Sequence, residues 1–501
     1  MIRKIPSQVI EVLKKIQENN FEAYVVGGCV RDLLLDKIPK DWDITTNAKP
    51  SEIVEIFPDS FYENDFGTVG VKVEKFITNG NGLLRESREH DVIEVTTYRI
   101  ESIYSDRRRP DEVKFAKTLA DDLGRRDFTM NAIALQLTTN NEQQTTEDAG
   151  FEIVDLFAGQ EDIKKKIIKT VGDANERFGE DALRMMRAIR FHAQLNFEIE
   201  EKTFEAIKKN SALINHIALE RIKDELTRVI LSDNPAEGIE MMHKTGLLVH
   251  IIPELEKGVG VAQNRHHIHT IYTHCILALK YCPSKKLEVR LAALFHDIAK
   301  PQTKRGEGLY ATFYNHDHMG AKIVRQILTR LRFSNEVIEN VSMLVDNHMF
   351  YYNPDEVGEA SVRRLIKKVG LENMKDLMDL RISDRLGSGT PKAKPYKLRH
   401  LEYVIEKVSK DAVSVKMLKI NGNDLMKDLK ITPGPKIGAI LDVLLAEVIE
   451  DTEKNNREYL LTRAKKLEVE DLPKLREMAK EKIEEKKEED DEEIKGKHWV
   501  K

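Results

Sequence analysis

Cysteine is scarce in this chain of 501 residues. Cys29, Cys275 and Cys282 are the three present, and none belongs to a CxxC pair. Neither a disulfide framework nor a zinc ribbon is therefore expected. No run of about 18 apolar residues occurs, so no membrane-spanning helix is expected. The first twenty residues, MIRKIPSQVIEVLKKIQENN, lack the continuous apolar core of a signal peptide. Their charges fall at helical spacing, which reads as a surface helix. These absences make a cytoplasmic protein with no membrane partner the default. An excess of positive charge is missing as well, because the formal net charge is −5. Residues 468–501 hold 13 acidic and 9 basic side chains, so the rest of the chain is near neutral, at −1. A local basic groove remains compatible with that balance, but charge alone does not argue for nucleic acid.

The length implies two to four domains, and 41% hydrophobic residues suffice for their cores. AYVVGG reads as a short strand that stops at two glycines, and residues 29–35 restart as a helix. Residues 41–46 (DWDITT) read as a second strand and 50–57 as a helix. Residues 69–73 and 92–97 read as strands. Strands alternating with helices inside about 140 residues suggest one small α+β or α/β domain. From about residue 160 the apolar residues recur three and four apart almost everywhere, as in EDALRMMRAIRFHAQL and LEVRLAALFHDIAK. No internal repeat is evident. GSGTPKAKPYK (387–397) and ITPGPKIG (431–438) are breaks. Past about Leu467 the chain is charged and poor in apolar residues, either a solvated helix or disordered.

The first chemical constellation is Gly27-Gly28-Cys29-Val30-Arg31-Asp32 followed by Asp41-Trp42-Asp43. Glycines at a strand-to-helix turn let backbone approach a triphosphate, and the following helix offers free N–H groups to phosphate. Asp41 and Asp43, two apart on a strand, point to one face. Such a pair can hold Mg²⁺ ions that bridge triphosphate oxygens and an attacking hydroxyl. The loop Tyr104–Pro110 (YSDRRRP), Arg125-Arg126-Asp127-Phe128-Thr129-Met130-Asn131-Ala132 and Glu180-Asp181-Ala182-Leu183-Arg184 follow in order. On a helix, Asp181 and Arg184 would share a face at i and i+3. A carboxylate accepts and a guanidinium donates. Cytosine and adenine both present an amino donor beside a ring-nitrogen acceptor, so this pair complements both. Uracil and guanine would leave buried groups unpaired, at roughly 1–3 kcal/mol each. The same spacing also serves an ordinary surface ion pair.

Taken together, these segments resemble the bacterial-type tRNA nucleotidyltransferase and poly(A) polymerase family. The resemblance extends in motif order to about residue 467. It implies that Gly27, Gly28, Arg31, Asp32, Arg125, Arg126, Asp127 and Asn131 bind the nucleotide. Asp181 and Arg184 would serve as an amino-acid template for the base, with Arg187 and Arg190 as further triphosphate or RNA contacts. Glu220-Arg221 resembles a segment that supports the pocket. The Tyr104–Pro110 loop is implied in switching between CTP and ATP. Glu94, in VIEVTTYR, is a candidate third carboxylate, or an ion-pair partner of Arg99. Residues 419–438 look like the family's tail region, associated with the tRNA elbow.

A second constellation orders His274, His296-Asp297 and Asp384 as in HD-domain phosphohydrolases, with His316 and His348 matching members that hold two metals. Imidazoles with a carboxylate suit Mn, Co, Ni or Zn.

The expected fold is therefore α+β. A nucleotidyltransferase head with a small mixed sheet (1–150) precedes an all-helical neck (151–260), an HD-type body (261–400), a helical tRNA-binding tail (401–467) and a charged tail (468–501). The expected partners are tRNA, CTP and ATP. Full CCA addition, A-addition alone, poly(A) synthesis and HD hydrolysis with a degenerate head remain distinct readings.

Overall fold

The computed structural model describes residues 5–62, 67–74, 90–102, 112–138, 150–264, 268–390, 392–410 and 415–500. The Tyr104–Pro110 loop lies outside them. The chain forms two compact units, Met1–Lys280 with Lys285–Ser342, and Tyr281–Ser284 with Met343–Lys501. Among the described residues, no helix is long and apolar enough to cross a membrane.

The first unit opens with α1 (Ser7–Glu18), whose Val9, Val12, Leu13 and Ile16 recur three and four apart and are buried. β1 (Ala23–Val26) is buried at every position. Short helices α2 (Gly28–Leu34) and α3 (Pro50–Ile56) flank β2 (Asp43–Thr46) in sequence. Next come β3 (Ser60–Tyr62), β4 (Thr68–Glu74) and β5 (His90–Thr97), then the ribbon β6 (Arg99–Ser102) and β7 (Glu112–Phe115). The helix α4 (Leu119–Gly124) leads into β8 (Ile133–Thr138) and β9 (Gly150–Asp155). The main sheet has the order β3-β4-β5-β2-β1-β8-β9. β2 runs parallel to β5, with Asp43 opposite Glu94, and the other neighbours are antiparallel. The expected mixed sheet is present. β8 and β9, not assigned from the sequence, complete it on the far side of β1.

Beyond the sheet the first unit is largely helical, with α5 (Gly159–Lys165), α6 (Ala174–Glu180), α7 (Leu183–Leu195), α8 (Glu201–Asn210), α9 (Leu219–Ile230) and α10 (Pro235–Lys244) in succession. Gly238 marks a close approach. A Cβ there would lie 2.5 Å from Val229 Cγ1 and 3.1 Å from Ala193 Cβ, so the backbone of α10 presses against α9 and α7. The helix Leu287–Phe295 is apolar and buried nearly all round, and it delivers His296-Asp297 into the interior.

The second unit holds two apolar clusters. One gathers Leu418, Leu425, Ile440, Leu444 and Leu460, and the other Val362, Met378, Ile382, Leu401 and Val404. The helix Leu472–His498 spans 27 residues, about 40 Å. Near its start Leu475 and Ala479 enter the first cluster, while Ile494 and, past its end, Val500 enter the second. Asp491 fastens the far end, with Lys495 at 2.7 Å, Lys407 at 3.2 Å and the Tyr403 hydroxyl donating to it. Burial pushes the Asp491 carboxyl up, but Lys495, Tyr403 and Lys407 outweigh it and hold it at about 2. Of the two states open for this charged segment, the helix is the one formed.

Candidate nucleotide and metal sites

The geometry of the head site starts from β2. Trp42 and Ile44 are buried, whereas Asp43 is half-buried and Asp41 exposed. β2 itself begins at Asp43, but the pairing reaches one residue further, because Glu94 N–H donates to the Trp42 carbonyl at 3.1 Å. Strand alternation therefore sends Asp41 and Asp43 to one side. Glu94 faces Asp43 across the parallel ladder and is exposed, so a third carboxylate stands beside the pair. Three hard oxygen donors on neighbouring positions fit a magnesium site.

β1 ends at Gly27, whose φ of 86° lies in the left-handed region, and α2 starts at Gly28. A Cβ at Gly27 would lie 2.9 Å from Arg126 Nη1 and 3.5 Å from Asp43 Oδ2. The turn thus needs glycine both for its backbone angle and for the guanidinium and carboxylate that close over it. Beneath the turn, Cys29 Sγ contacts the Val26 carbonyl at 3.1 Å. Burial, with Asp43 adding to it, pushes this thiol up to about 12, so it stays protonated.

Asp122, which the sequence reading passed over, organises the arginines. It is fully buried in α4. Arg125 donates to its Oδ1 through Nε at 3.0 Å and Nη2 at 2.8 Å. Arg126 Nη2 reaches Oδ2 at 3.4 Å, and Thr45 of β2 donates to Oδ2 at 3.2 Å. Burial would raise this carboxyl, but Arg126 and Arg125 outweigh it and hold it below the usual carboxylate range. The two arginines differ in consequence. Arg125 is committed to Asp122 by a two-pronged bond, while Arg126 Nε makes no hydrogen bond among the described residues. The available signal was the i+3 and i+4 spacing within DDLGRR.

Asp127 is a second hub. Its Oδ2 accepts from Arg187 Nε at 2.7 Å, and its Oδ1 from Asn131 Nδ2 at 3.2 Å. Burial raises its carboxyl, and Arg187 more than reverses the effect. Asn131 Oδ1 accepts from Arg31 Nη1 at 2.8 Å, and Arg31 also holds Asp32 at 2.7 Å. Arg190 is enclosed with Glu225 at 3.2 Å, and burial lowers its guanidinium to about 10. The two predicted motifs, Arg31-Asp32 and RRDFTMNA, are thereby joined to α7 through a continuous polar network.

Asp181 and Arg184 are not placed as an i, i+3 pair on one helix. The chain leaves α6 at Asp181, with φ −140° and ψ 103°, and α7 begins at Leu183. Asp181 Oδ1 accepts from Leu183 N–H at 3.0 Å, which is how a carboxylate stops one helix and starts the next. Its Oδ2 takes Arg221 Nη2 at 2.8 Å. Arg184 is buried, donating to Glu180 at 2.6 Å and to the Arg125 carbonyl at 3.2 Å. Glu220 instead faces Arg332 at 3.8 Å on the surface.

In the histidine cluster, His274, His296 and Asp297 are each at most 1% exposed and His316 is 6% exposed. His274 Nε2 lies 2.9 Å from His296 Nε2, and Asp297 Oδ2 lies 3.2 and 3.3 Å from these two atoms. Two ligands at about 2.1 Å from one ion and at right angles would be about 3.0 Å apart, so this spacing fits neighbouring ligands of a transition metal. His316 Nε2 approaches the other oxygen, Oδ1, at 3.3 Å. His296 Nδ1 contacts the Ala293 carbonyl at 2.9 Å, and His316 Nδ1 the Phe313 carbonyl at 2.7 Å. Each carbonyl requires Nδ1–H and so leaves Nε2 as the lone-pair donor. His348, in the second unit, repeats the device with the Val345 carbonyl at 2.7 Å, and Asp384 there accepts from Arg381 at 3.2 Å. Lys300, also missed in the sequence, lies 2.6 Å from Asp297 Oδ2 and 2.8 Å from Gln263. Burial raises the Asp297 carboxyl, but His296 and Lys300 hold it well below its ordinary range.

A family model described as the poly A polymerase head domain matches residues 23–169. A model of an RNA and SrmB-binding site of polymerase A matches 196–258, and one of tRNA nucleotidyltransferase domain 2 matches 303–464. The CCA-adding enzyme of Enterococcus faecalis is 35% identical over 478 residues, covering 92% of this chain and 97% of that protein. That of Ligilactobacillus salivarius is 33% identical over 485 residues, covering 93% and 98%. Among solved structures, the Bacillus stearothermophilus CCA-adding enzyme in complex with CTP matches with a TM-score of 0.57 at 25% identity, covering 92% of this chain and 98% of that one.

Proposed function

The chain belongs to the family of CCA-adding enzymes, nucleotidyltransferases acting on tRNA, and from that premise we propose how its residues divide the work. The observation that carries the reading is the meeting of Gly27, Asp43 and Arg126 around one point. A tRNA 3′-hydroxyl attacks the α-phosphorus of CTP or ATP, the new phosphodiester forms, and pyrophosphate leaves. Asp41 and Asp43, with Glu94 beside them, would hold magnesium ions, which would supply charge neutralisation at the triphosphate and activation of the attacking hydroxyl. Arg126, whose Nε is uncommitted, and Arg31 and Arg187 hold the phosphates. Asp122 and Asp127 fix these guanidiniums in place, so little reorganisation is needed as charge develops. Gly27 and Gly28 let the backbone approach, with Asp32 and Asn131 orienting Arg31.

Asp181 accepts from the base amino group and Arg184 donates to the ring nitrogen, with Arg221 and Glu180 orienting them. The head (1–150) thus performs the chemistry and the neck (151–260) selects the base. The helical regions 261–400 and 401–467 engage tRNA, and the reaction is cytoplasmic. The test is nucleotide addition to tRNA transcripts ending before CCA, after C and after CC. CTP should extend the first two and ATP should complete the third. Extension of the CC-ending transcript alone would reassign the chain to A-addition, and long A tails on unrelated RNA to poly(A) synthesis.

A second reading rests on the spacing of His274, His296, Asp297 and His316. These residues would hold an ion such as Mn²⁺, Co²⁺, Ni²⁺ or Zn²⁺, which would support phosphoester hydrolysis by water, on 2′,3′-cyclic or terminal phosphates of damaged tRNA. His348 and Asp384 are the remaining members of the HD order. Absence of hydrolysis with each of these ions, while CCA addition is intact, would leave the cluster a structural role.

A further inference from the structure

The arginines around the nucleotide pocket share one aromatic ring. Phe191 lies on α7 and is 5% exposed. Its centroid is 4.4 Å from Arg190 Cζ, 5.1 Å from Arg31 Cζ and 5.7 Å from Arg187 Cζ. Phe128, from the RRDFTMNA segment, meets it edge-on at 5.8 Å and 87°. Arg31 comes from α2, directly after the glycine turn, and the other two come from α7. Each guanidinium is also tied to a separate carboxylate, Arg31 to Asp32, Arg187 to Asp127 and Arg190 to Glu225.

Three cations gathered at one spot repel each other, and a carboxylate at the side of each fixes only one edge of the planar group. A π face carries negative potential and attracts a weakly hydrated guanidinium within about 6 Å. An aliphatic side chain could fill the same volume but would offer no such attraction. We propose that Phe191 is a positioning residue for nucleotide binding, its π system setting the spacing of Arg31 and Arg187 where they receive the triphosphate. Arg190, enclosed with Glu225, anchors the ring from the neck side. This inference rests on the nucleotide-pocket reading above and adds to it a residue that makes no hydrogen bond to substrate.

Replacing Phe191 by 4-fluoro-, 3,5-difluoro- and 3,4,5-trifluorophenylalanine withdraws the negative π potential with little change of shape. In the full-length protein, KM for CTP and for ATP should rise stepwise with fluorine content, about tenfold by the trifluoro form. The kcat and Tm should stay close to those of the unmodified chain, because the ring supports binding common to ground and transition states. Phe191→Leu should raise KM at least as far and also lower Tm through lost packing. A flat KM across the fluorinated series, with the unmodified protein active, would overturn the proposal and leave Phe191 a packing residue. Failure of the unmodified protein to incorporate either nucleotide would overturn the pocket reading and this inference together.

Discussion

The head site and the histidine cluster lie in the same compact unit and are built on opposite plans. In the head, buried charges arrive already matched, with Asp122 between Arg125 and Arg126, Asp127 against Arg187, and Glu225 against Arg190. The carboxylates proposed to hold metal, Asp41, Asp43 and Glu94, are exposed or half-buried. In the cluster, lone-pair donors converge at 2.9–3.3 Å in a buried interior, and Lys300 is the cation beside them. On the proposed reading, matched arginines give a pocket that keeps its shape while a triphosphate comes and goes. Buried imidazoles and a carboxylate at this spacing suit an ion that stays bound. The proposed roles match this contrast, a visiting anion in one region and a resident ion in the other.

The largest test of that contrast is a pair of substitutions. Asp43→Asn should lower CCA addition by about 10³-fold at unchanged Tm, the scale of losing a metal-held charge. His296→Ala should leave CCA addition within twofold, measured as incorporation on the same transcript. If both abolish addition, the regions are not functionally separate. Next in size is the ion itself. At roughly 100 times its dissociation constant for the cluster, Mn²⁺ or Ni²⁺ should stabilise the unmodified chain by about 2.7 kcal/mol in urea unfolding, and the His274→Ala, His296→Ala variant should lose most of that gain. An equal gain in both would place the ion elsewhere.

Gly27→Ala should cost about 1–2 kcal/mol from its φ of 86° alone, together with a higher KM for nucleotide as Arg126 is displaced. A change in Tm without a change in KM would detach Arg126 from the nucleotide. The smallest expected effect is in pH. Asp122 and Asp127 have depressed carboxyls in the folded state, so their stabilisation is complete above 3.8 and is lost only as pH falls through the still lower folded values. His400, in the second unit, is lowered from 6.5 by burial. It takes up its proton at a lower pH in the fold than in the unfolded chain, so its stabilisation is present above 6.5 and declines as pH falls below it. Between pH 7.5 and 4.5 the urea midpoint should therefore fall less in His400→Gln, relative to its own value at pH 7.5, than in the unmodified chain. Equal slopes would assign the decline to other groups.

Much of the head was legible because its signals are local. Two glycines after an apolar strand and carboxylates two apart encode a turn and a face without reference to anything distant. β8 was not legible, since IALQLT becomes a strand by pairing with β1, about 110 residues earlier in the chain. Asp181 was misread for another reason. Helical periodicity runs on through EDALRMM, yet the same aspartate can bond the N–H of Leu183, and that local bond ends one helix and caps the next. Asp122 was passed over because its role depends on burial, which its neighbours in the chain do not reveal. The order of histidines and aspartates suggested a metal, but the shared bond from Nδ1 to the carbonyl three residues earlier depends on each histidine's local fold, which its neighbours in the chain do not reveal.

The helix Leu472–His498 has a consequence for the birth of the chain. The cluster around Val362, Met378, Leu401 and Val404 is closed by Ile494 and Val500, about ninety residues after its other helices are complete. At ribosomal rates of roughly 5–20 residues per second, those helices wait on the order of ten seconds with an apolar face exposed. The first unit is made of residues up to Ser342, all of which leave the ribosome before this helix does. Newly made chains should thus pass through an interval in which a finished catalytic head is joined to an unclosed core, and that core is where a holdase chaperone would find its binding surface.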